Sequence, residues 1–298
     1  MTFNKILVPV DFSEFSNNAL QYALFLAERF HSQVTLLHII LLYHEDVSDE
    51  AHLMALENIV EGQEERKSKL MEKHIEESKS RSITVDSKLI RGLNAANTIL
   101  EFIEENDFDL VVLGTHGRSG FNKWLFGSVA EKVMRLSRIP VLTIHKDFNK
   151  MGVERILVPI DFSETSKIGV DWGIVGAQEF KAELHFLHSV QVELHPEYFL
   201  MNSEMILQGN PAVIRHLDEN LVKFTGIPKS KAVYALREGK AYKEIKRYAE
   251  DNEIDLIVMT AHGMGKLEHF LIGSTVERVA RIASCPVLTV GRNQRGGN

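Results

Sequence analysis

The chain has little of what builds specialised frameworks. It holds one cysteine, Cys285. A single thiol makes no disulfide within the chain and no Cys-rich zinc site, and it suits a reducing, cytoplasmic setting. Seven prolines and 19 glycines in 298 residues are too few for a collagen-like or low-complexity chain. No long hydrophobic run is present. The longest, near residues 34–43, contains His38 and falls well short of the ~20 apolar residues of a membrane-spanning helix. The opening MTFNKILVPVDFSE reaches Asp11 before any long apolar core, so neither a secretory leader nor a membrane partner is expected. Positive charge is in deficit: Lys+Arg 34 against Asp+Glu 41 gives a net charge of −7. A net negative surface repels phosphate backbones, which disfavours nucleic acid as a partner while leaving room for a local basic pocket. Also missing are G-x-x-x-x-G-K-[ST], H-E-x-x-H, C-x-x-C and G-x-S-x-G, so no Walker-type phosphate loop, zincin site, dithiol or nucleophile elbow is expected.

What is present is a duplication. Residues 6–16 read ILVPVDFSEFS and residues 156–166 read ILVPIDFSETS, identical at nine of eleven positions. DLVVLGTHG at 109–117 answers DLIVMTAHG at 255–263, and PVLT at 140–143 answers PVLT at 286–289. The offset is 150 in the first pair and 146 in the second, so the second copy has a shorter middle. A period this long is a whole domain rather than a solenoid repeat of about 20–50 residues. Two domains, 1–148 and 149–298, are expected, joined near the polar stretch DFNKMG at 147–152.

Each copy alternates short apolar runs with helical periodicity. In the first, strands are expected at 5–10, 34–40, 82–90, 110–113 and 141–144. Helices are expected at 15–30, 50–80, 95–105 and 128–137, the last stopping ahead of Pro140. The second copy follows the same course, less regularly around 192–228. Near-continuous apolar strands joined by helices indicate an α/β fold: two tandem doubly wound domains, each a five-stranded parallel sheet with helices on both faces.

In such sheets ligands bind beyond the carboxyl ends of the strands, where the connections diverge. Two repeated elements fall there. One is Pro9-Val10-Asp11 after the first strand. The other is Gly114-Thr115-His116-Gly117 after the fourth, followed nine residues later by Gly127-Ser128. Gly127 and Ser128 open a helix, whose unpaired N–H groups and positive dipole end receive a phosphate. Arg118 and Lys123 add positive charge between them.

The pattern G-2x-G-9x-G-S after a strand, with V-P-x-D-x-S upstream, resembles the universal stress protein (UspA-like) family over essentially the whole chain. The resemblance implies a Rossmann-like fold of the adenine nucleotide alpha hydrolase type. It also implies binding of ATP or another adenine nucleotide, often with a divalent metal such as Mg, and dimerisation. By resemblance Asp11 contacts the ribose, the backbone at Ile39 contacts adenine, and Gly114, Gly117, Gly127 and Ser128 surround ribose and phosphates. Pro9, His116 and Arg118 belong to the same two elements. In the second copy Asp161, Ser189, Gly263, Gly273 and Ser274 match, but Thr260 replaces the first glycine and Met264 replaces Arg118. Thr260 is expected to tolerate positive φ poorly and to crowd a ligand, so the first copy is the preferred site. No residue is assigned to a metal.

Plainer roles stand beside these. Asp11 and Asp161 suit capping of the next helix, as do Ser128 and Ser274. His116 and His262 suit loop hydrogen bonds, His38 and His188 the core, and the charged segment 61–80 a solvated helix face. Phe199, Met201 and Met205 suit core packing, as do Trp124 and Phe270 in the glycine loops. Cys285 suits a buried, inert thiol. Three functions remain open: a nucleotide-binding stress-response module with an unknown protein partner, a slow ATPase at the same site, and a nucleotide-free scaffold. In the last, the terminal strands at 141–144 and 287–290 pair within the chain as a pseudo-dimer, and a homodimer of whole chains is a separate expectation.

Overall fold

The structure is a computed structural model that describes residues 3–42, 50–81, 83–115, 127–145, 150–191, 211–261 and 273–291, without the side chains of 50–56 and 80. It divides into two compact units, Thr2–Lys146 and Asp147–Asn298, with Met1 counted in the second. In the N-terminal unit the chain runs β1 (Lys5–Pro9), α1 (Glu14–Phe30), β2 (Gln33–Leu41), α2 (Glu50–Ser78), a 3-10 turn at Lys79–Arg81, β3 (Val85–Gly92), α3 (Ala95–Glu105), β4 (Leu110–Gly114), α4 (Ser128–Leu136) and β5 (Val141–Ile144). All neighbouring strands are parallel, in the order β3-β2-β1-β4-β5.

The C-terminal unit repeats this course. It runs β6 (Arg155–Ile160), α5 (Ser166–Phe180), β7 (Glu183–Val190), α6 (Pro211–Thr225), β8 (Val233–Glu238), α7 (Ala241–Asp251), β9 (Leu256–Thr260), α8 (Ser274–Ile282) and β10 (Val287–Val290). Its strand order is β8-β7-β6-β9-β10, again parallel. Each unit is thus the five-stranded doubly wound sheet the apolar runs imply.

The central strands are apolar on both faces because helices cover both. Ile6, Leu7, Val8, Leu110, Val111 and Val112 are fully buried, as are Ile156, Leu157 and Val158 in the repeat. Burying each such side chain stabilises the fold by about 1.5–3 kcal/mol. β3, at the sheet edge, alternates exposed and half-buried residues, and it begins at Val85 rather than at residue 82 as its composition suggests. The right-handed crossover rule puts α1 and α2 on one face and α3 and α4 on the other, and α3 packs on α4. The chain steps from β1 outward to β2 and β3, then back across to β4 and β5. The connections therefore part between β1 and β4.

Two repeated devices hold the frame. Asp109 Oδ2 accepts the N–H groups of Asn4 at 2.7 Å and Lys5 at 2.9 Å, which ties the turn before β4 to the start of β1. Asp255 Oδ2 does the same for Glu154 at 2.8 Å and Arg155 at 3.0 Å, and its Oδ1 also takes Lys150 Nζ at 2.7 Å. At the other end of the strands, Gly127 N–H donates to Thr115 O at 2.8 Å, and Gly273 N–H to Ala261 O at 2.7 Å. These bonds close the base of each glycine loop.

Candidate functional site

Beyond the carboxyl ends of β1, β2 and β4 lies a cavity of about 560 Å³. Six of the candidate residues line it: Pro9, Asp11, Ile39, Gly114, Gly127 and Ser128. His116, Gly117 and Arg118 lie outside the described residues, as do Lys123 and Trp124 of the same loop.

Asp11 leaves β1 in a tight turn. Its Oδ1 accepts the Ser13 N–H at 2.9 Å, and its own N–H reaches Ser16 Oγ at 3.4 Å. The cap of α1 is Ser13, whose side chain accepts from Ser16 N–H, so the capping role expected of Asp11 is taken two residues later. The turn instead orients the Asp11 carboxyl at the cavity wall.

Ile39 is placed by strand alternation. Along β2 the odd residues direct their peptide groups toward β1: Gln33 N–H donates to Asn4 O, and Leu37 O accepts from Val10 N–H. The β1–β2 pairing ends at Pro9 and Leu37. Ile39 is the next odd residue, so its peptide N–H and C=O point past the end of β1 at the cavity. A donor and an acceptor on one extended residue match the edge of a planar base.

The glycines act through space and not through φ. Gly114 does not adopt positive φ. A Cβ there would come within 2.7 Å of the Phe15 carbonyl carbon and 2.8 Å of its oxygen, so Gly114 lets the first turn of α1 lie on the end of β4. This corrects the expectation that Thr260 is poor because of backbone strain, since Thr260 does not adopt positive φ either. Its methyl is housed where α5 starts at Ser166, two residues later than its counterpart α1, and a Cβ at Gly169, which replaces Ala19 of the first copy, would still keep an ordinary van der Waals distance of 3.6 Å from Thr260 Cγ2.

Gly127, at φ −62° and ψ 129°, is the N-cap of α4, and Ser128 is the first helical residue. Gly273 stands likewise before Ser274 in α8. The serines are therefore not the caps, and neither cap forms a side-chain hydrogen bond. Gly127 O accepts the N–H of Glu131. The amides of Ser128, Val129 and Ala130 precede the first helical bond, and all three residues line the cavity. Such unpaired amides at a positive dipole end form an anion cradle.

His38 Nδ1 lies 2.6 Å from Val10 O, so that nitrogen donates and the ring ties β2 to the turn after β1. His188 repeats the contact with Ile160 O at 2.8 Å. Phe12 and Phe162 both sit at positive φ, 64° and 61°. A bulky residue in this region costs about 1–2 kcal/mol. The strain holds each ring against its histidine, with centroids 4.7 Å and 4.6 Å apart.

Two lining residues come from α2, which its charged composition marks as a solvated face. They are Gln63 and Lys67, and Lys67 Nζ sits 4.7 Å from the Phe12 ring centroid. The signal that finds them is the stripe 63, 67, 71, 74, 78 at helical spacing. Met71 and Ser78 of that stripe are buried, and His74 stacks on Phe12 at 6.0 Å.

The second cavity is smaller, about 300 Å³, and is lined by Asp161, Ser189, Thr260, Gly273 and Ser274 among others. Ser189 Oγ donates to Gly239 O at 2.9 Å. Gly263 lies outside the described residues, together with His262, Met264, Phe270, Phe199, Met201 and Met205. Cys285 is buried, and burial pushes its thiol up to about 12, which keeps it protonated and inert. Among the described residues no group of three or more His, Cys, Asp or Glu is placed to hold a metal, and no helix is long and apolar enough to cross a membrane.

The chain matches the Universal stress protein family twice, over residues 2–145 and 152–291. It is 25% identical over 302 residues to a universal stress protein of Synechocystis sp., covering 95% of this chain and 98% of that one. A universal stress protein of Methanocaldococcus jannaschii is 31% identical over 152 residues, covering 48% of this chain and 83% of the relative. The crystal structure of a universal stress protein from Archaeoglobus fulgidus superposes with a TM-score of 0.67 at 24% identity, covering 97% of this chain and 98% of that chain. The last shows the fold. Together with the duplicated site geometry, the two family matches establish that the chain belongs to the universal stress protein family, as a tandem pair of its domains.

Proposed function

We propose that the N-terminal unit binds an adenine nucleotide, ATP foremost, and that the protein works as a nucleotide-responsive regulatory module in the stress response. The observation that carries this reading is the composition of the 560 Å³ cavity. Asp11 is oriented for ribose hydroxyls, the Ile39 peptide for the base, and the α4 amides for phosphate, all at the point where the sheet connections part. The volume falls within the roughly 300–1,000 Å³ usual for small-molecule sites. The C-terminal cavity is the weaker candidate, being smaller and carrying Thr260 where the first has Gly114. A ligand that prefers one state of the chain shifts the population toward it, which is what a regulatory role requires. A divalent cation such as Mg²⁺ would accompany the phosphates and lower their charge.

Equilibrium titration of the full chain with ATP, AMP and cyclic AMP tests the reading. Saturable binding at one ATP per chain is expected. Gly127→Val should abolish it while leaving the circular dichroism spectrum unchanged, because φ −62° and ψ 129° suit valine and the residue lines the cavity. Absence of saturable binding to the unaltered chain overturns the reading.

A further inference from the structure

The two units differ in what rests on the strained phenylalanine at the cavity mouth. In the N-terminal unit a cation joins the stacked His74 ring: Lys67 Nζ lies 4.7 Å from the Phe12 ring centroid and the residue lines the cavity. In the C-terminal unit it is an aromatic ring, Phe224, edge-on to Phe162 at 5.5 Å. Lys167 lies on Phe224, 5.6 Å from its centroid, and is bound by Glu164 at 2.9 Å and 3.1 Å. Among the described lining residues the first cavity therefore holds one carboxylate, Asp11, and one ammonium, Lys67. The second holds a carboxylate, Asp161, with no lysine or arginine.

We infer that Lys67 is a ligand-contacting residue that makes the N-terminal cavity select phosphorylated ligands over the neutral nucleoside. Asp11 alone would oppose a polyanion, since two like charges in a wall of low polarity repel more strongly than in water. Lys67 offsets that charge at the same wall. α2 is built to hold it there. Met71, one turn on, is buried, which fixes the rotation of the helix. Glu64, one turn before, is bound by Arg91 at 2.6 Å and 3.0 Å, which turns that carboxylate to β3. The ammonium lies over the aromatic face of Phe12, which seats a positive charge at the cavity lining. The α4 amides and Lys67 come from helices on opposite faces of the sheet, so a nucleotide would be held from both sides.

This inference rests on the nucleotide-binding reading, and the experiment separates the two. ATP and adenosine are titrated against the full chain, Lys67→Met and Lys67→Arg. Methionine keeps the apolar stem on Phe12 and removes the charge. Lys67→Gln serves as a second neutral variant, with circular dichroism checking the fold of each. The expected result is a loss of about tenfold in ATP affinity in both neutral variants, the scale of one charge-assisted contact. Adenosine affinity should change less than about twofold, and arginine should restore ATP binding. If the neutral variants bind ATP as the unaltered chain does, or lose ATP and adenosine equally, Lys67 does not read the phosphate, and the nucleotide-binding reading stands without it. If the unaltered chain binds neither ligand, that reading fails and the inference with it.

Discussion

Single residues carry defined loads in this molecule. Asp255 is 2% exposed and satisfies two backbone N–H groups and Lys150. Replacing it with alanine strands those donors, and Asp255→Ala should cost about 3 kcal/mol, measured by urea denaturation. Gly114 has no room for a methyl group because the facing atoms are Phe15 backbone. Gly114→Ala must shift the first turn of α1, and a loss of about 1–3 kcal/mol is expected in the same assay. His185 is buried between Tyr248 OH at 2.9 Å and Glu183 Oε2 at 3.1 Å. Burial holds its pKa below the usual histidine value, with Glu183 opposing in part. The unfolded chain therefore takes up a proton near pH 6.5 that the folded chain refuses. Stability should be full above that value, fall as pH drops through it, and level off below the folded pKa. Urea midpoints between pH 8 and pH 5 check this, and His185→Gln should flatten that part of the slope.

At the scale of elements, the ends of helices and strands decide what the cavity can hold. α3 is capped by Asn94, whose side chain accepts from Asn97 N–H at 3.1 Å. Asn94→Ala should lower stability by about 1 kcal/mol without changing the sheet, read as a small fall in melting temperature. The central strands and α1, α3 and α4 were legible in the sequence because full burial leaves an unbroken apolar run or a strong helical stripe. The edge strand β3 was less so, since half-buried residues blur the run at its start. The motif residues Pro9, Asp11, Gly114, Gly127 and Ser128 were legible as a constellation because duplication marks them twice. Lys67 and Gln63 were not. A lysine in a charged helix reads as solvated, and only the buried Met71 one turn away shows which side of α2 turns inward. The reason for Gly114 was also hidden, because the obstacle is backbone about a hundred residues earlier in the chain.

At the scale of the whole chain, duplication has let the two halves diverge around one plan. The frame is shared down to the carboxylate tie of Asp109 and Asp255 and the strained Phe12 and Phe162. The cavities are not shared, at about 560 Å³ and 300 Å³. The closure of each glycine loop has a practical corollary. The hydrogen bonds from Gly127 to Thr115 and from Gly273 to Ala261 pin both ends of the intervening segment to the sheet, through backbone atoms alone. The intervening segments, 116–126 and 262–272, are the same length. Exchanging one for the other therefore preserves both the anchoring backbone atoms and the span between them, and such a chimera is expected to keep the scaffold, read as an unchanged urea midpoint.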